Sequence, residues 1–353
     1  MTNQPNHLLL WLLAAALLAG AVGCRTLGPP DADREPLYPV VDRQKIGFIN
    51  PQHHTVIAPS LPFTPGENWP YHFSEGLAAV NFPEGVGYID RSGRTVIEPR
   101  FEAARDFSEE RAVVKMGGRY GYINRRGKMV IDPRFVGAGS FHDGMAPVQE
   151  KPGEAWGYID RNGDWAVEPS FLKAEEFSEG YALVQTSEHR EWGYINTRGA
   201  TAIEPQFPDA GSFSEGLAAA ELEFQQFGYI NTHGHIYIES GYLEAGIFSE
   251  GKAAVAMPVN PRDLEKGREY GYIDRRGSFI IDPAFDQAYP FSSQRARVKV
   301  DGKYGFIDEQ GQWVAEPIFD RAWDYRGDMA LVQLGKNYAY IYRNGIFAVE
   351  PMR

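Results

Sequence analysis

The sequence predicts an all-β protein built from about nine tandem units of about 35 residues, each an antiparallel β-meander. Three observations predict this fold class. A short motif, Gly-Tyr/Phe-Ile-Asp/Asn, recurs at nearly constant spacing. The 353 residues include 38 glycines together with 21 Phe, 19 Tyr and 7 Trp, a composition typical of short strands joined by tight turns. No segment shows the period of a long amphipathic helix.

The recurring motif predicts a strand, a tight turn and a second strand. Its Asp or Asn side chain can bond its own backbone two residues on, and the glycine that closes the turn tolerates a positive φ. Successive copies are separated by 40, 34, 36, 36, 35, 43, 34 and 34 residues, and the ninth copy, at Ala339, is degenerate. The first glycines of the other eight are Gly47, Gly87, Gly121, Gly157, Gly193, Gly228, Gly271 and Gly305.

The remainder of each unit supplies further strands. A β-branched stretch ends in an acid and a proline, as in Val96–Pro99, and we expect the proline to end that strand. A Phe-Ser-Glu-Gly sequence and an Ala/Val strand complete the unit, as in Phe73–Val80. Between them, the spacing Phe-x-x-Ala-x-x-Phe, as at Phe171, Ala174 and Phe177, fits either a helical turn or a fourth bent strand.

One such unit cannot bury its own aromatic residues, so neighbouring units must stack. An open superhelical array and a closed β-propeller both allow this. In the sequence pattern the first copy starts at Gly47 without an Ala/Val strand before it, while the last copy runs through 349–351. Because these ends are not complementary halves of one blade, the sequence favours an open solenoid, with the closed propeller as the alternative.

The pairs Trp156-Gly157 and Trp192-Gly193 identify a resemblance. With the repeated glycines above, they resemble the bacterial WG-repeat family, over about 305 residues from Gly47 to Pro351. The resemblance implies that these Trp and Gly residues are structural. It implies no common reaction, cofactor or catalytic residue.

The N-terminal segment resembles a targeting sequence. Residues 1–23 contain no Asp, Glu, Lys or Arg, and the run Leu8–Leu18 is almost wholly apolar, as in a signal peptide. The sequence Ala-Val-Gly before Cys24 resembles the lipobox of bacterial lipoproteins, which implies that Cys24 carries lipid and anchors the chain to a membrane. An uncleaved anchor helix is the alternative.

The domain boundaries follow from this interpretation. A signal peptide at 1–23 precedes the lipidated cysteine and a Pro-rich tether at 24–40, and the repeat domain occupies 41–353. Arg25 follows the cysteine, where an Asp holds lipoproteins in the inner membrane of enterobacteria. The resemblance therefore implies a bacterial cell-envelope protein of the outer membrane.

Composition and repetition narrow the function classes. A formal net charge of −12 disfavours nucleic acid as a partner, and a single cysteine excludes an intrachain disulfide. No serine stands out as a nucleophile, because six of them share one repeat position, and we expect no catalytic residue, metal or cofactor. The acids before the prolines fit soluble strand edges, and a cation-binding stripe is the alternative. The six serines are Ser74, Ser108, Ser178, Ser214, Ser249 and Ser292.

Two insertions break the period, at Pro59–Pro70 and Met257–Arg268. Such insertions lie in loops and often bind partners. The second carries both signs of charge and is the candidate binding loop, through Arg262, Asp263, Glu265, Lys266 and Arg268. The sequence thus predicts a non-catalytic scaffold that binds an unidentified envelope protein or glycan; an envelope-polymer hydrolase and a purely structural spacer are the alternatives.

Overall fold

The computed structural model describes residues 35–63, 69–188, 190–260 and 267–349. Within these ranges every regular element is a β-strand, and the strands form nine antiparallel sheets. Each sheet corresponds to one sequence repeat and is a blade of a closed β-propeller. The signal peptide, Cys24 and most of the tether lie outside the described residues.

The strands follow one another in blade order. The first three blades contain β1 (Tyr38–Asp42), β2 (Lys45–Ile49) and β3 (Thr55–Pro62); β4 (Leu77–Phe82), β5 (Gly85–Asp90) and β6 (Thr95–Phe101); and β7 (Ala103–Ala104), β8 (Arg111–Met116), β9 (Arg119–Asn124) and β10 (Met129–Phe135). The next three contain β11 (Gly137–Ala138), β12 (Met145–Gln149), β13 (Trp156–Asp160) and β14 (Trp165–Phe171); β15 (Lys173–Ala174), β16 (Tyr181–Gln185), β17 (Trp192–Asn196) and β18 (Thr201–Phe207); and β19 (Leu217–Glu223), β20 (Gln226–Asn231) and β21 (Ile236–Tyr242). The last three contain β22 (Glu244–Ser249), β23 (Lys252–Pro258), β24 (Arg268–Asp274) and β25 (Phe279–Phe285); β26 (Gln287–Ser292), β27 (Arg295–Val300), β28 (Lys303–Ile307) and β29 (Trp313–Phe319); and β30 (Arg321–Ala322), β31 (Met329–Leu334), β32 (Asn337–Tyr342) and β33 (Phe347–Val349).

A complete blade is a four-stranded meander whose first strand has two residues in four blades and six residues in the seventh and eighth. The Phe-x-x-Ala segment forms this strand, as in β15, so the fourth-strand alternative is correct and the helical turn is not. The first strands of the seventh and eighth blades, β22 and β26, contact each other, which places them at the inner edge, near the axis. The two central strands carry most of the buried residues, and the last strand forms the outer edge.

The motif glycine lies where the outer strand bulges. Val86 pairs with Phe101, but Tyr88 pairs with Ile97, so the outer strand has two extra residues between these pairs. A Cβ on Gly87 would come within 2.7 Å of the Ile97 carbonyl oxygen. Pro99 lies in the bulge and the strand continues to Phe101. The expectation that the proline ends the strand is therefore wrong: a bulge accommodates a residue without an N–H.

The predicted turn chemistry is confirmed. Oδ1 of Asp90 accepts hydrogen bonds from the backbone N–H groups of Ser92 and Arg94, at 2.9 and 3.1 Å. Gly93 closes the turn with a φ of +83°. Asp or Asn makes the same pair of bonds in six later blades, at Asn124, Asp160, Asn196, Asn231, Asp274 and Asp308.

Neighbouring blades are joined by an aromatic pair. The aromatic ring of the Gly-Tyr/Phe-Ile strand packs against the ring of the Phe-Ser-Glu-Gly turn in the next blade. The centroids in eight such junctions are 4.7 to 5.2 Å apart. The pairs are Phe48–Phe73, Tyr88–Phe107, Tyr122–Phe141, Tyr158–Phe177, Tyr194–Phe213, Tyr229–Phe248, Tyr272–Phe291 and Phe306–Tyr325.

A ninth pair joins the last blade to the first, so the favoured open solenoid is wrong. Tyr340 packs against Tyr38 with centroids 5.5 Å apart, and its hydroxyl donates to the Pro39 carbonyl at 2.8 Å. Ile49 and Met329 lie in the same buried cluster. Each end blade is made from its own segment of chain, and side-chain packing closes the ring without a shared blade.

The open-solenoid prediction failed because the Ala/Val strand of the first blade does not show the usual sequence pattern. β1 is that strand: Val40 pairs with Gly47 as Val80 pairs with Gly87. Tyr38 and Pro39 stand where most other repeats have small or branched apolar residues, so the pattern is obscured. Because β1 begins at Tyr38, the last three residues of the expected tether 24–40 belong to the first blade.

Candidate functional site

The repeat is interrupted where the first and ninth blades meet. Among the described residues, the first blade begins with β1, the counterpart of the second strand in complete blades, and the three-stranded second and sixth blades likewise begin with β4 and β19. A cavity of about 360 Å³ lies beside this inner edge, within the size range of ligand pockets. We call it the seam pocket. Its lining residues are Leu37, Tyr38, Pro39, Pro70, Tyr71, His72, Ser292, Trp323, Asp324, Tyr325, Arg326, Met329, Leu331 and Tyr340.

The walls of the seam pocket are mostly aromatic and aliphatic. Trp323 of the ninth blade and Tyr71 of the second each stand two residues before the junction aromatic of their own blade, Tyr325 and Phe73. They therefore occupy matching inner positions on either side of the first blade. Tyr71 is buried, whereas Trp323 is half-buried.

The ionisable groups of the pocket are engaged with neighbouring protein groups. His72 places Nε2 2.6 Å from Oδ2 of Asp106 and Nδ1 3.0 Å from the Pro70 carbonyl oxygen. Asp324 accepts a 3.0 Å hydrogen bond from Nε of Arg297. These contacts hold the polar groups in place, at the edge of an otherwise apolar cavity.

Arg297 departs from the repeat and was missed by the sequence reasoning. The corresponding residues in the seventh and ninth blades are Ala254 and Leu331. The guanidinium lies over the Tyr289 ring, 3.7 Å from its centroid, and donates to the Ala322 carbonyl at 2.6 Å. The feature of the sequence that could have identified Arg297 was a charged residue inside an Ala/Val strand. By fixing Asp324, Arg297 links the eighth blade to the seam pocket.

The tyrosines that close the ring remain neutral donors. Burial is the main factor that raises the pKa of Tyr38 and of Tyr340 above its usual value. Tyr38 donates its hydroxyl hydrogen bond to the Arg326 carbonyl, and Tyr340 donates to Pro39. Neither phenol ionises in the physiological pH range, so both hydroxyls remain hydrogen-bond donors there.

The six serines that share one repeat position hold junctions. Each donates its Oγ hydrogen bond to the carbonyl of the junction aromatic in the next blade, over 2.6 to 2.8 Å. The following acid often reinforces the junction, as where Glu75 accepts from the Glu110 N–H at 3.0 Å. Ser292, which also lines the seam pocket, makes the same bond as the other five, to the Tyr325 carbonyl.

The candidate loop is only partly described. Arg262, Asp263, Glu265 and Lys266 lie outside the described residues. Arg268 is the first residue of β24, and its guanidinium pairs with the Glu244 carboxylate, which also accepts from the Tyr270 hydroxyl. No described contact brings Arg268 to the seam pocket, which is lined by the first, second, eighth and ninth blades.

The other insertion contributes to closure. Phe63 and Trp69 flank the segment 64–68, and both rings pack against Tyr338 of the ninth blade, with centroids 5.9 and 5.4 Å apart. The insertion Pro59–Pro70 thus supplies aromatic contacts across the seam.

In the described ranges, no three His, Cys, Asp or Glu residues are grouped so that they could hold a metal ion. No helix there is long and apolar enough to cross a membrane.

The fold defines the chain as a nine-bladed β-propeller made of sequence repeats, and the sequence places it in a family. The family model described as "WG containing repeat" matches seven segments, at residues 87–120, 120–151, 156–187, 192–223, 227–257, 270–304 and 304–338. The chain belongs to this family. The first blade lies outside the matched segments, and the last segment ends within the ninth blade, at residue 338.

Comparison with other proteins supports the fold alone. No curated protein has significant sequence similarity to the chain. A crystal structure of a eukaryotic initiation factor superposes with a TM-score of 0.63 at 10% identity, over 91% of this chain and 96% of that one. Dihydro-heme d1 dehydrogenase NirN, in complex with DHE, gives a TM-score of 0.45 at 14% identity, over 90% of this chain and 72% of that one. AztD from Citrobacter koseri gives 0.40 at 11% identity, over 90% and 93%.

Proposed function

We propose that this chain is a lipid-anchored scaffold of the bacterial cell envelope that binds a protein or glycan reversibly, without chemical turnover. WG repeats arranged as a propeller suggest a protein-interaction scaffold. The observation that carries the proposal is the seam pocket, a cavity of about 360 Å³ with mostly apolar walls and polar groups that are already engaged. Such a lining is suited to holding a ligand.

Non-catalytic binding is supported by the use that the protein makes of its reactive side chains. The Ser292 hydroxyl donates to the Tyr325 carbonyl at 2.7 Å, in a bond shared with five other blades. A nucleophile would instead have to direct its proton to a general base. His72, the imidazole of the pocket, contacts Asp106 and the Pro70 carbonyl.

The envelope location rests on the lipobox-like sequence before Cys24, and Arg25 favours the outer membrane. Several acyl chains on Cys24 would anchor the propeller stably. Cys24→Ala, followed by membrane fractionation under alkaline wash, tests this. We expect the variant to leave the membrane fraction; a variant that stays wholly membrane-bound would contradict the lipid anchor.

The binding role is tested by crosslinking and mass spectrometry on intact cells, followed by pull-downs from envelope extract with the purified mature protein. We expect a recurrent partner that is recovered chemically unchanged. A measured catalytic activity that one point mutation abolishes, while partner recovery is kept, would overturn the non-catalytic proposal.

A further inference from the structure

We propose that the seam pocket binds an uncharged aromatic side chain presented by a partner protein. This inference rests on the proposed binding function and names the ligand chemistry of its site. It goes beyond the repeat surface and the candidate loop, because the seam pocket lies between the chain's first and last blades.

The shape of the site favours an aromatic anchor. Trp323 and Tyr71 contribute aromatic rings to the lining, and Leu37, Met329 and Leu331 extend its apolar part. Aromatic residues that fill pockets of this kind dominate the binding energy of many protein interfaces. Rings also gain from edge-to-face contact with other rings, beyond the area they bury.

The propeller itself shows what this environment accepts. At eight junctions the inner turn of the next blade inserts an aromatic ring beside a strand tyrosine or phenylalanine, with centroids 4.7 to 5.2 Å apart. At the seam, the corresponding ring is that of Tyr38, which lies in β1. Because Val40 aligns with Val80, Tyr38 stands five residues further along the repeat than Phe73 does in the second blade. Among the described residues, no inner strand then covers the space beside β1.

The electrostatics favour a neutral ligand. Asp324 is paired with Arg297, and His72 contacts Asp106. Arg326 also interacts with neighbouring protein groups, and its carbonyl accepts a hydrogen bond from the Tyr38 hydroxyl. A charged ligand would be desolvated without an unpaired opposite charge to meet it, which is costly. A glycan would leave several hydroxyls facing apolar walls.

The test uses the full mature protein and a neutral probe, the capped tripeptide N-acetyl-Gly-Trp-Gly-amide, followed by ligand-observed saturation-transfer NMR and titration. The matched peptide with Ala at the centre and the disaccharide of N-acetylglucosamine are the comparison probes. We expect saturation of the indole protons, no measurable binding of the Ala peptide and no binding of the disaccharide.

Two variants locate the site and one controls for the loss of a tryptophan. Trp323→Ala removes a wall, and His72→Trp fills part of the cavity from a half-exposed position. Each should weaken tripeptide binding by about tenfold or more. Trp313→Ala, on the outer strand β29 and 39% exposed, should stay within about twofold of wild type. Near-UV circular dichroism and thermal unfolding establish that each variant is folded.

Some outcomes overturn this inference and leave the wider function intact. Undiminished binding in both folded pocket variants, or tighter binding of the disaccharide than of the tripeptide, would refute the aromatic-anchor site. A partner recovered equally by wild type and Trp323→Ala would do the same while supporting the scaffold. Conversely, tripeptide binding at the pocket, without any partner recovered from envelope extract, would support the pocket chemistry and count against the proposed function.

Discussion

The Tyr340 hydroxyl donates a 2.8 Å hydrogen bond to the Pro39 carbonyl oxygen, linking residues 301 positions apart in the sequence. In other blades the equivalent tyrosine reaches a residue 17 positions ahead, as Tyr88 reaches Arg105. The acceptor of the Tyr340 hydroxyl lies instead in the first blade, so this bond marks the point of ring closure.

Tyr340→Phe tests the strength of that closure. The change leaves the Pro39 carbonyl buried without its donor, so we expect the free energy of unfolding to fall by about 1–3 kcal/mol. Urea denaturation provides the measurement. Phenylalanine fits the position sterically, because Phe48 and Phe306 occupy it in other blades.

Tyr88→Phe is the matched control. Its acceptor belongs to Arg105, an exposed residue, so water can replace the lost hydroxyl and the cost should be about 0.5–1 kcal/mol. Equal losses of unfolding free energy in the two variants would show that the seam hydrogen bond contributes no more to stability than the same bond between other blades.

Removal of the ninth blade tests whether stability depends on a closed ring, as opposed to an open array. A chain that ends after Phe319 loses Tyr325, the partner of Phe306, and Tyr340, the partner of Tyr38. Because two junctions are lost at once, we expect no cooperative thermal transition and a tendency to aggregate. Size-exclusion chromatography and near-UV circular dichroism report both. A monomeric truncation with a sharp transition would contradict a requirement for closure.

The local structure was predictable from the sequence because the same residues form the same turns and strands in successive repeats. Asp90 and Gly93 specify a turn through their own side chain and backbone, and the same residues recur in most blades. The number of units followed from the spacing. The bulge at Pro99 was missed, because a proline signals the loss of a donor, and both a strand end and a bulge satisfy that signal.

Closure and the seam pocket were not predictable by the same route. Repetition reveals what the units share, whereas the seam depends on residues that differ, such as Tyr38 in place of a small residue and Arg297 in place of an apolar one. Their partners, Tyr340 and Asp324, become neighbours only once the ring forms or adjacent blades pack. The binding role of the five loop residues remains a prediction.

Gly87→Ala should be strongly destabilising. The added Cβ would lie 2.7 Å from the Ile97 carbonyl oxygen and 2.9 Å from the Pro99 nitrogen, so the outer strand would have to shift. We expect a loss of about 1–3 kcal/mol in urea denaturation. Gly211→Ala is the control, since no heavy atom lies within 4 Å of its added Cβ, and it should change stability by about 0.5 kcal/mol or less. Similar losses would count against the close strand approach.

Asp90→Asn isolates the pH dependence of one turn. Partial burial acts to raise the pKa of this carboxyl, but hydrogen bonds from Ser92 and Arg94 outweigh it and lower the pKa from 3.8 to about 2. A lowered folded pKa stabilises the protein above the unfolded pKa, and this contribution is lost as the pH falls from about 4 to about 2.

The turn accepts asparagine, because Asn124 makes the same backbone bonds in the next blade. At pH 7 the variant should lose less than about 1 kcal/mol, mainly the exposed ion pair with Arg94. Denaturation curves between pH 7 and 2 should show the difference from wild type narrowing below pH 4. A difference that is constant with pH would contradict the lowered pKa.

Exchange of the candidate loop tests its role in binding. Met257 pairs with Glu269 as Met116 pairs with Arg119, so the four residues of the short turn Met116–Arg119 can replace Met257–Glu269 in register. The exchange removes all five predicted residues and the exposed ion pair between Arg268 and Glu244, and it should cost about 1 kcal/mol or less in stability.

Pull-downs from envelope extract then compare the exchanged protein with wild type. The control places the same four residues at Val300–Lys303 in the eighth blade, where Val300 pairs with Lys303 and the turn has no insertion. If the loop binds the partner through its mixed charges, recovery should fall only for the exchange in the seventh blade, and the fall should be mimicked by raising the salt concentration, which screens exposed charges. Equal recovery from all three proteins would remove the loop from the binding surface and leave the seam pocket as the candidate site.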